Sequence, residues 1–229
     1  MGGRIFEEER RRVVRSLIAE GYLRTQAVVD AMLRVPREEF VLPEYRRFSY
    51  YDTPLPIGCG QTISAPHMVA TMTEKLEPRP GQRVLEVGTG SGYQAAILAE
   101  VVGPRGHVWT IERIPQLAEY ALNNLRRTKY LDRVTVVVGD GSEGYPPAAP
   151  YDRVIVTAAA PDIPKPLVDQ LEDGGRLVIP VGSRWIQVLK VVVKEGGRVR
   201  VERDIPCVFV PLVGKYGFKE VENRDRDIW

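Results

Sequence analysis

Three carboxylates close successive apolar runs of this 229-residue chain: Glu86, Glu112 and, directly after the third run, Asp140 with Gly141. After the first comes a glycine-rich stretch, Val84-Leu85-Glu86-Val87-Gly88-Thr89-Gly90-Ser91-Gly92. Glycines at such a strand-to-helix turn let backbone N–H groups approach a ligand and aim the positive end of the following helix at it. Alone, this marks a nucleotide or cofactor site, and Gly90-Ser91-Gly92-Tyr93-Gln94-Ala95 even satisfies the loose GxGxxA dinucleotide fingerprint. The carboxylates move the balance away from a dinucleotide. Glu86 would oppose a pyrophosphate but suits the ammonium of a methionine moiety. Glu112 lies about twenty residues past the glycines, where ribose hydroxyls are held under either reading. Asp140 suits an adenine amino group, with the Gly141 N–H for a ring nitrogen. All three lie at carboxyl ends of strands, where open α/β sheets bind ligands.

A second constellation lies upstream, in Pro54-Leu55-Pro56-Ile57-Gly58-Cys59-Gly60-Gln61-Thr62-Ile63-Ser64-Ala65-Pro66-His67. Ser64 is expected to cap a helix beginning there, with Pro66 in the first turn. A helix start with a hydroxyl and free N–H groups also suits a carboxylate, and a carboxylate is a competent methyl acceptor. Ser64 and His67 read as nucleophile and base are disfavoured: no nucleophile-elbow sequence surrounds Ser64 and no orienting acid is evident. His67 is expected to be packed or to contact a cofactor. Metal binding is not expected, because His67 and His107 lack ligand spacing.

The elements that must position these residues follow from periodicity. Helical spacing covers residues 7–20, and Thr25 can cap a second helix running to about Val35, ended by Pro36. Residues 40–63 carry Pro43, Pro54, Pro56, Gly58 and Gly60, so a long irregular connection is expected, shaped as a partly hinged cover. Apolar runs at 83–87, 108–111, 134–138, 153–156 and 176–181 alternate with helical segments such as 94–102 and 114–127. That alternation predicts βαβ units: an α/β, Rossmann-like, doubly wound and mostly parallel sheet behind N-terminal helices. Runs at 186–193 and 199–203 flank Glu195-Gly196-Gly197 and predict an antiparallel C-terminal hairpin, with 206–213 completing the sheet or a small lobe. One domain over 1–229 is expected, made of a helical and loop segment 1–78, a cofactor-binding core 79–182 and a strand segment 183–229.

With 32 basic against 30 acidic residues the formal net charge is +2, so no strong field gathers nucleic acid or anionic lipid, and neither partner is expected. No stretch is apolar for long enough to span a bilayer, and the N-terminus has no apolar signal core. The two cysteines, Cys59 and Cys207, form no disulfide framework and are expected to be buried small apolar residues. A cytoplasmic monomer is the expectation.

The run Gly60-Gln61-Thr62-Ile63-Ser64-Ala65-Pro66-His67-Met68, the Glu86-to-Gly92 turn, Val138-Gly139-Asp140-Gly141 and Ala158-Ala159-Ala160-Pro161 closely resemble the protein-L-isoaspartate (D-aspartate) O-methyltransferases. The resemblance spans about residues 12–218. The Ser64 segment is specific to that family, whereas the glycine turn is shared by many methyltransferases. The resemblance implies methyl transfer from S-adenosyl-L-methionine, leaving S-adenosyl-L-homocysteine, to the α-carboxylate of isoaspartyl residues in damaged proteins and peptides. It implies Ser64 as the active-site serine, Ile63, His67, Glu86, Gly88, Thr89, Gly90, Glu112, Arg113, Asp140 and Gly141 at the cofactor, and Ser64, Ala159, Ala160 and Pro161 at the substrate. Departures are local: Cys59 occupies a variable loop position, and residues 213–218 lack a polar pair that some relatives place near the cofactor. The rival readings are a methyltransferase for a small molecule or RNA, a cofactor-binding module without activity, and an NAD-dependent reductase.

Overall fold

The structure, a computed structural model, describes residues 2–220, so the last nine residues of the expected 183–229 segment lie outside the described residues. Helix α1 covers Gly2–Ala19 and α2 covers Gln26–Arg34. Thr25 stands at the cap of α2 as expected, but its hydroxyl donates to Glu74 Oε2 at 2.6 Å instead of capping, and Glu74 Oε1 accepts the N–H groups of Arg24 and Thr25. A carboxylate from a distant helix thus does the work expected of the local side chain.

Residues 40–63 are more regular than their prolines and glycines suggest. A six-residue 3-10 helix, Pro43–Phe48, leads to a hairpin of β1 (Leu55–Gly58) and β2 (Gln61–Ile63). The turn between the strands holds three successive positive φ angles: Gly58 at 93°, Cys59 at 51° and Gly60 at 68°. Two glycines make that turn cheap. Cys59 is exposed at its tip, contrary to the expectation of burial, while Cys207 is buried.

Helix α3 covers Pro66–Leu76, and its cap position is Ala65, not Ser64. The core then alternates β3 (Arg83–Val87), α4 (Tyr93–Val102), β4 (His107–Glu112), α5 (Pro115–Arg127), β5 (Val134–Val138), β6 (Tyr151–Val156), α6 (Lys165–Asp169) and β7 (Leu171–Gly182). Strands β8 (Gln187–Glu195) and β9 (Arg198–Cys207) form the expected hairpin around Gly196 and Gly197, with φ of 57° and 73°. The seven-stranded sheet runs β5-β4-β3-β6-β7-β8-β9, parallel from β5 to β7 and antiparallel from β7 to β9.

Successive residues of each strand serve opposite faces. Val84, Val108, Ile155 and Val178 join one core with α1 to α5, whereas Leu85, Ile111, Val154 and Leu177 join a second core with α6. Helix α4 lies within the first core, with Ala95 to Ala99 fully buried between the sheet and α2. The chain leaves β3 for β4 on one side and returns to β6 on the other, so a switch in strand order opens a crevice above the carboxyl end of β3. Residues 208–213 do not complete the sheet. They run back across its carboxyl edge, where Ala159 N–H donates to Val210 O at 2.8 Å and Leu212 N–H to Ala159 O at 2.7 Å.

Candidate active site

The crevice above β3 holds three connected cavities. The first, about 720 Å³, is lined by Gln61, Gly88, Glu112, Arg113, Gly141 and residues 210–213 among others. The second, about 430 Å³, reaches deeper past Ile63, Ser64, Glu86, Thr89 and Tyr93. The third is an open outer groove between Pro54, Ser64 and His67 on one side and residues 206–210 on the other. Thr62 and Thr157 line all three, and Ser64 lines the second and third.

The glycine turn is shaped as its composition requires. Gly88, Gly90 and Gly92 have φ of 98°, 53° and 87°, and a Cβ at Gly88 would lie 2.5 Å from Thr157 Oγ1. Thr157 Oγ1 donates to Gly88 O at 2.7 Å, which locks the turn against the end of β6. Glu112 accepts the Gly90 N–H at 3.0 Å with Oε2 and the Ile114 N–H at 3.0 Å with Oε1. Each oxygen keeps a second lone pair, so the side chain braces the turn and can still accept a diol.

Glu86 is fully buried on the floor of the second cavity. Its Oε2 accepts the Thr110 hydroxyl at 2.6 Å, Thr110 Oγ1 meets Thr89 Oγ1 at 2.7 Å, and Oε1 has no partner among the described residues. Burial, reinforced by the nearby charge of Glu112 and opposed by the Thr110 hydrogen bond, pushes the carboxyl up to about 8. A buried acceptor without a partner is costly unless a ligand supplies the donor, and a cationic donor would also favour the ionised form. The residues present therefore fit the ammonium end of S-adenosyl-L-methionine.

Gly141 lines the first cavity, but Asp140 does not. Asp140 Oδ1 accepts from Ser142 N–H at 2.9 Å and Ser142 Oγ–H at 2.7 Å, and Oδ2 accepts from Lys215 N–H at 2.7 Å. Partial burial disfavours its charge, but the bonds from Lys215 and Ser142 outweigh this and hold the carboxyl below its ordinary range. Most of its accepting capacity is spent within the chain, and one lone pair on Oδ2 is left over. Residues 213–218 are tied to this loop through backbone: Lys215 N–H on Asp140 and Tyr216 N–H on Ser142 Oγ at 3.0 Å.

Ser64 is half-buried one residue before the cap of α3, and its hydroxyl makes no hydrogen bond among the described residues. The capping expected of it falls to Asp52, which accepts the His67 N–H at 2.9 Å and lies 3.0 Å from His67 Nδ1. An orienting acid therefore exists, twelve positions before Ser64, where spacing alone did not reveal it. The same contact turns His67 toward the outer groove, so it lines neither cofactor cavity as expected from sequence. Ala159 and Ala160 are not brought to the substrate side either: both are fully buried, with backbone groups bonded to Val210, Leu212, Pro180 and Gly182. Pro161 is exposed and lines none of the three cavities. Arg113 lines the first cavity while its guanidinium pairs with Glu220 at 2.8 Å. Sequence reasoning missed Thr62, Thr110, Thr157, Asp52 and residues 210–213. Only Thr157, directly after an apolar run, carried a local signal, as a polar residue at a strand's carboxyl end.

Strand order, glycine turn and strand-end carboxylates together define a methyltransferase of the Rossmann-like class. Residues 8–217 match the description of the Protein-L-isoaspartate(D-aspartate) O-methyltransferase (PCMT) family. The chain is 62% identical to a protein-L-isoaspartate O-methyltransferase of Hyperthermus butylicus, covering 95% of this chain and 93% of that one. It is 60% identical to the namesake of Staphylothermus marinus, covering 94% and 98%. Among solved structures, a protein-L-isoaspartate O-methyltransferase of Plasmodium falciparum in complex with S-adenosyl-L-homocysteine superposes with a TM-score of 0.79 at 29% identity, covering 88% of this chain and 97% of that one. The chain belongs to the protein-L-isoaspartate (D-aspartate) O-methyltransferase family.

Proposed function

We propose that this chain transfers a methyl group from S-adenosyl-L-methionine to the α-carboxylate of L-isoaspartyl residues in damaged proteins and peptides. The observation that carries this reading is the meeting of the cofactor cavities with the outer groove at Thr62, Thr157 and the free hydroxyl of Ser64. When bound, the cofactor supplies a sulfonium methyl group, an intrinsically good electrophile. Glu86 holds the ammonium end in the deep cavity. Glu112 holds the ribose hydroxyls and Gly141 N–H the base, with Ile63, Gly88, Thr89 and Gly90 forming the walls between them.

The acceptor needs little acid–base help, because an α-carboxylate with a reference pKa of about 3.5 is ionised at neutral pH. What this chain provides is position. The Ser64 hydroxyl, unengaged among the described residues, donates to the acceptor and turns one oxygen toward the methyl donor; the apolar groove wall of residues 206–210 displaces water from it. Orientation of this kind supplies up to roughly 7–11 kcal/mol in well-aligned cases, and removal of water strengthens the Ser64 contact. The ester product needs no further catalysis, since the adjacent backbone nitrogen displaces methanol to form a succinimide, which water reopens partly to normal aspartate.

The substrate and cofactor walls draw on all three segments expected from sequence, which supports one catalytic unit. Among the described residues no helix is long and apolar enough to cross a membrane. Two unpaired cysteines suit a reducing cytoplasm, and a monomer suffices because one chain walls the whole site. Paired peptides differing only in isoaspartyl or aspartyl linkage, incubated with labelled methyl donor, test the reading. Base-labile label on the isoaspartyl peptide alone is expected; equal labelling of both, or of neither, overturns it.

A further inference from the structure

The outer groove must take an anionic acceptor, yet its walls are almost free of charge. Among the described residues that line it, only His67 can carry a positive charge. The other ionisable side chain there, Cys207, is pushed up to about 11, chiefly by burial, and stays a neutral thiol. His67 is not free to turn. Asp52 Oδ1 accepts the His67 backbone N–H at 2.9 Å, and both Asp52 oxygens lie 3.0 Å from the ring Nδ1. The Tyr22 ring packs tilted against the imidazole, with centroids 5.5 Å apart. The buried guanidinium of Arg37, whose Nε donates to Ser49 O at 2.7 Å and which stacks on the Tyr93 ring, interacts with Asp52 through its charge, and its Nη1 and Nη2 make no hydrogen bond among the described residues.

An ionised carboxylate only accepts hydrogen bonds, so Nδ1 must carry the proton in this pair. That leaves Nε2, which makes no hydrogen bond among the described residues, as the nitrogen for the groove. A neutral ring offers a lone pair there, which repels an anion; a protonated ring offers a donor. With Nδ1 turned to Asp52, only the protonated ring presents an N–H to the groove, and a carboxylate there is bound by that ring form alone.

Resting on the function proposed above, we propose that Asp52 and His67 form the acceptor-recognition pair of this enzyme: His67 Nε2–H binds the substrate carboxylate in the groove, and Asp52 is the positioning residue that fixes the ring. Ser64 then orients the carboxylate from the cofactor side while His67 supplies the charge.

Two variants test this while sparing the fold. His67→Gln keeps the backbone N–H that Asp52 accepts, and Asp52→Asn keeps an oxygen for that N–H but cannot fix the ring as a carboxylate does. For an isoaspartyl peptide, KM is expected to rise roughly tenfold or more in each, the size of a hydrogen bond to a charged group. Cofactor affinity, measured by titration calorimetry, should stay within about twofold. The double variant should be no worse than His67→Gln alone, because Asp52 acts through His67. A peptide with the acceptor carboxylate replaced by a carboxamide should inhibit the wild type far less than its carboxylate twin would bind, and His67→Gln should lose that preference. Loss of cofactor affinity with unchanged peptide KM, or fully additive effects of the two substitutions, would overturn the assignment. Failure of the wild type to methylate any isoaspartyl peptide would instead strike the proposed function, and it is read in the same assay before any variant is compared.

Discussion

Replacing Glu86 by glutamine separates two consequences of burying a carboxyl group under a cation site. In the unliganded fold the group titrates at about 8 against an ordinary 4.5. At about 1.4 kcal/mol per pH unit, ionising it in the fold costs about 5 kcal/mol more than in the unfolded chain. The unfolded chain releases this proton near pH 4.5, while the folded chain holds it up to about pH 8. Stability from this group is therefore complete below pH 4.5 and falls as pH rises through the window to 8. Glu86→Gln has no such titration, so by chemical denaturation at pH 5 and pH 8.5 it should gain on the wild type by a few kcal/mol at the higher pH. The ligand reverses the sign. A bound ammonium requires ionised Glu86, so below pH 8 each cofactor bound should expel about one proton, and affinity should rise about tenfold per pH unit from 6 toward 8. Above that it should fall, as the ligand's own amino group, with a reference pKa of about 7.7–8.0, loses its proton. Calorimetry at pH 6.5 in two buffers of different ionisation enthalpy measures the proton count directly. Zero protons released, or the same release from Glu86→Gln, would refute the assignment of Glu86 to the ammonium.

Other expected outcomes follow from single contacts. Ser64→Ala should lower kcat roughly ten- to a hundredfold, the range for a hydrogen bond to a charged group, with cofactor affinity unchanged by titration; a methylated enzyme in Ser64→Cys with an inactive Ser64→Ala would instead make residue 64 a nucleophile. At Gly214 a Cβ would fall 2.0 Å from Asp140 Oδ1. Gly214→Ala should therefore push residues 213–216 off Asp140, costing about 1–3 kcal/mol, seen as a Tm lower by several degrees together with weaker binding of adenosine. Exposed Cys59 should react with a thiol reagent in the native protein, whereas Cys207, buried and raised to about 11, should react only after denaturation.

What the sequence determined on its own was local chemistry and the periodicity that carries it. The glycine turn, the strands that carry Glu86 and Glu112 at or next to their carboxyl ends, and the Gly196-Gly197 hairpin all depend on neighbours within a few residues, so their types and spacing were sufficient. Side-chain capping failed at both helix starts for a reason outside that range. The Thr25 hydroxyl is claimed by Glu74 and the start of α3 by Asp52, and a distant carboxylate is a stronger acceptor for helix N–H groups than a local hydroxyl. Ala159 and Ala160 carried the motif but not the contact, because residues 208–213 fold back and bond their backbone. Only the tertiary structure decided which groups face an open cavity and which are already satisfied. It placed His67 on the outer groove and off the two inner cavities, filled most of Asp140 with Ser142 and Lys215, and left one oxygen of Glu86 without a hydrogen-bond partner among the described residues. Those outcomes rest on long-range packing, where hydrogen-bonding capacity is allotted among residues that no sequence spacing brings together.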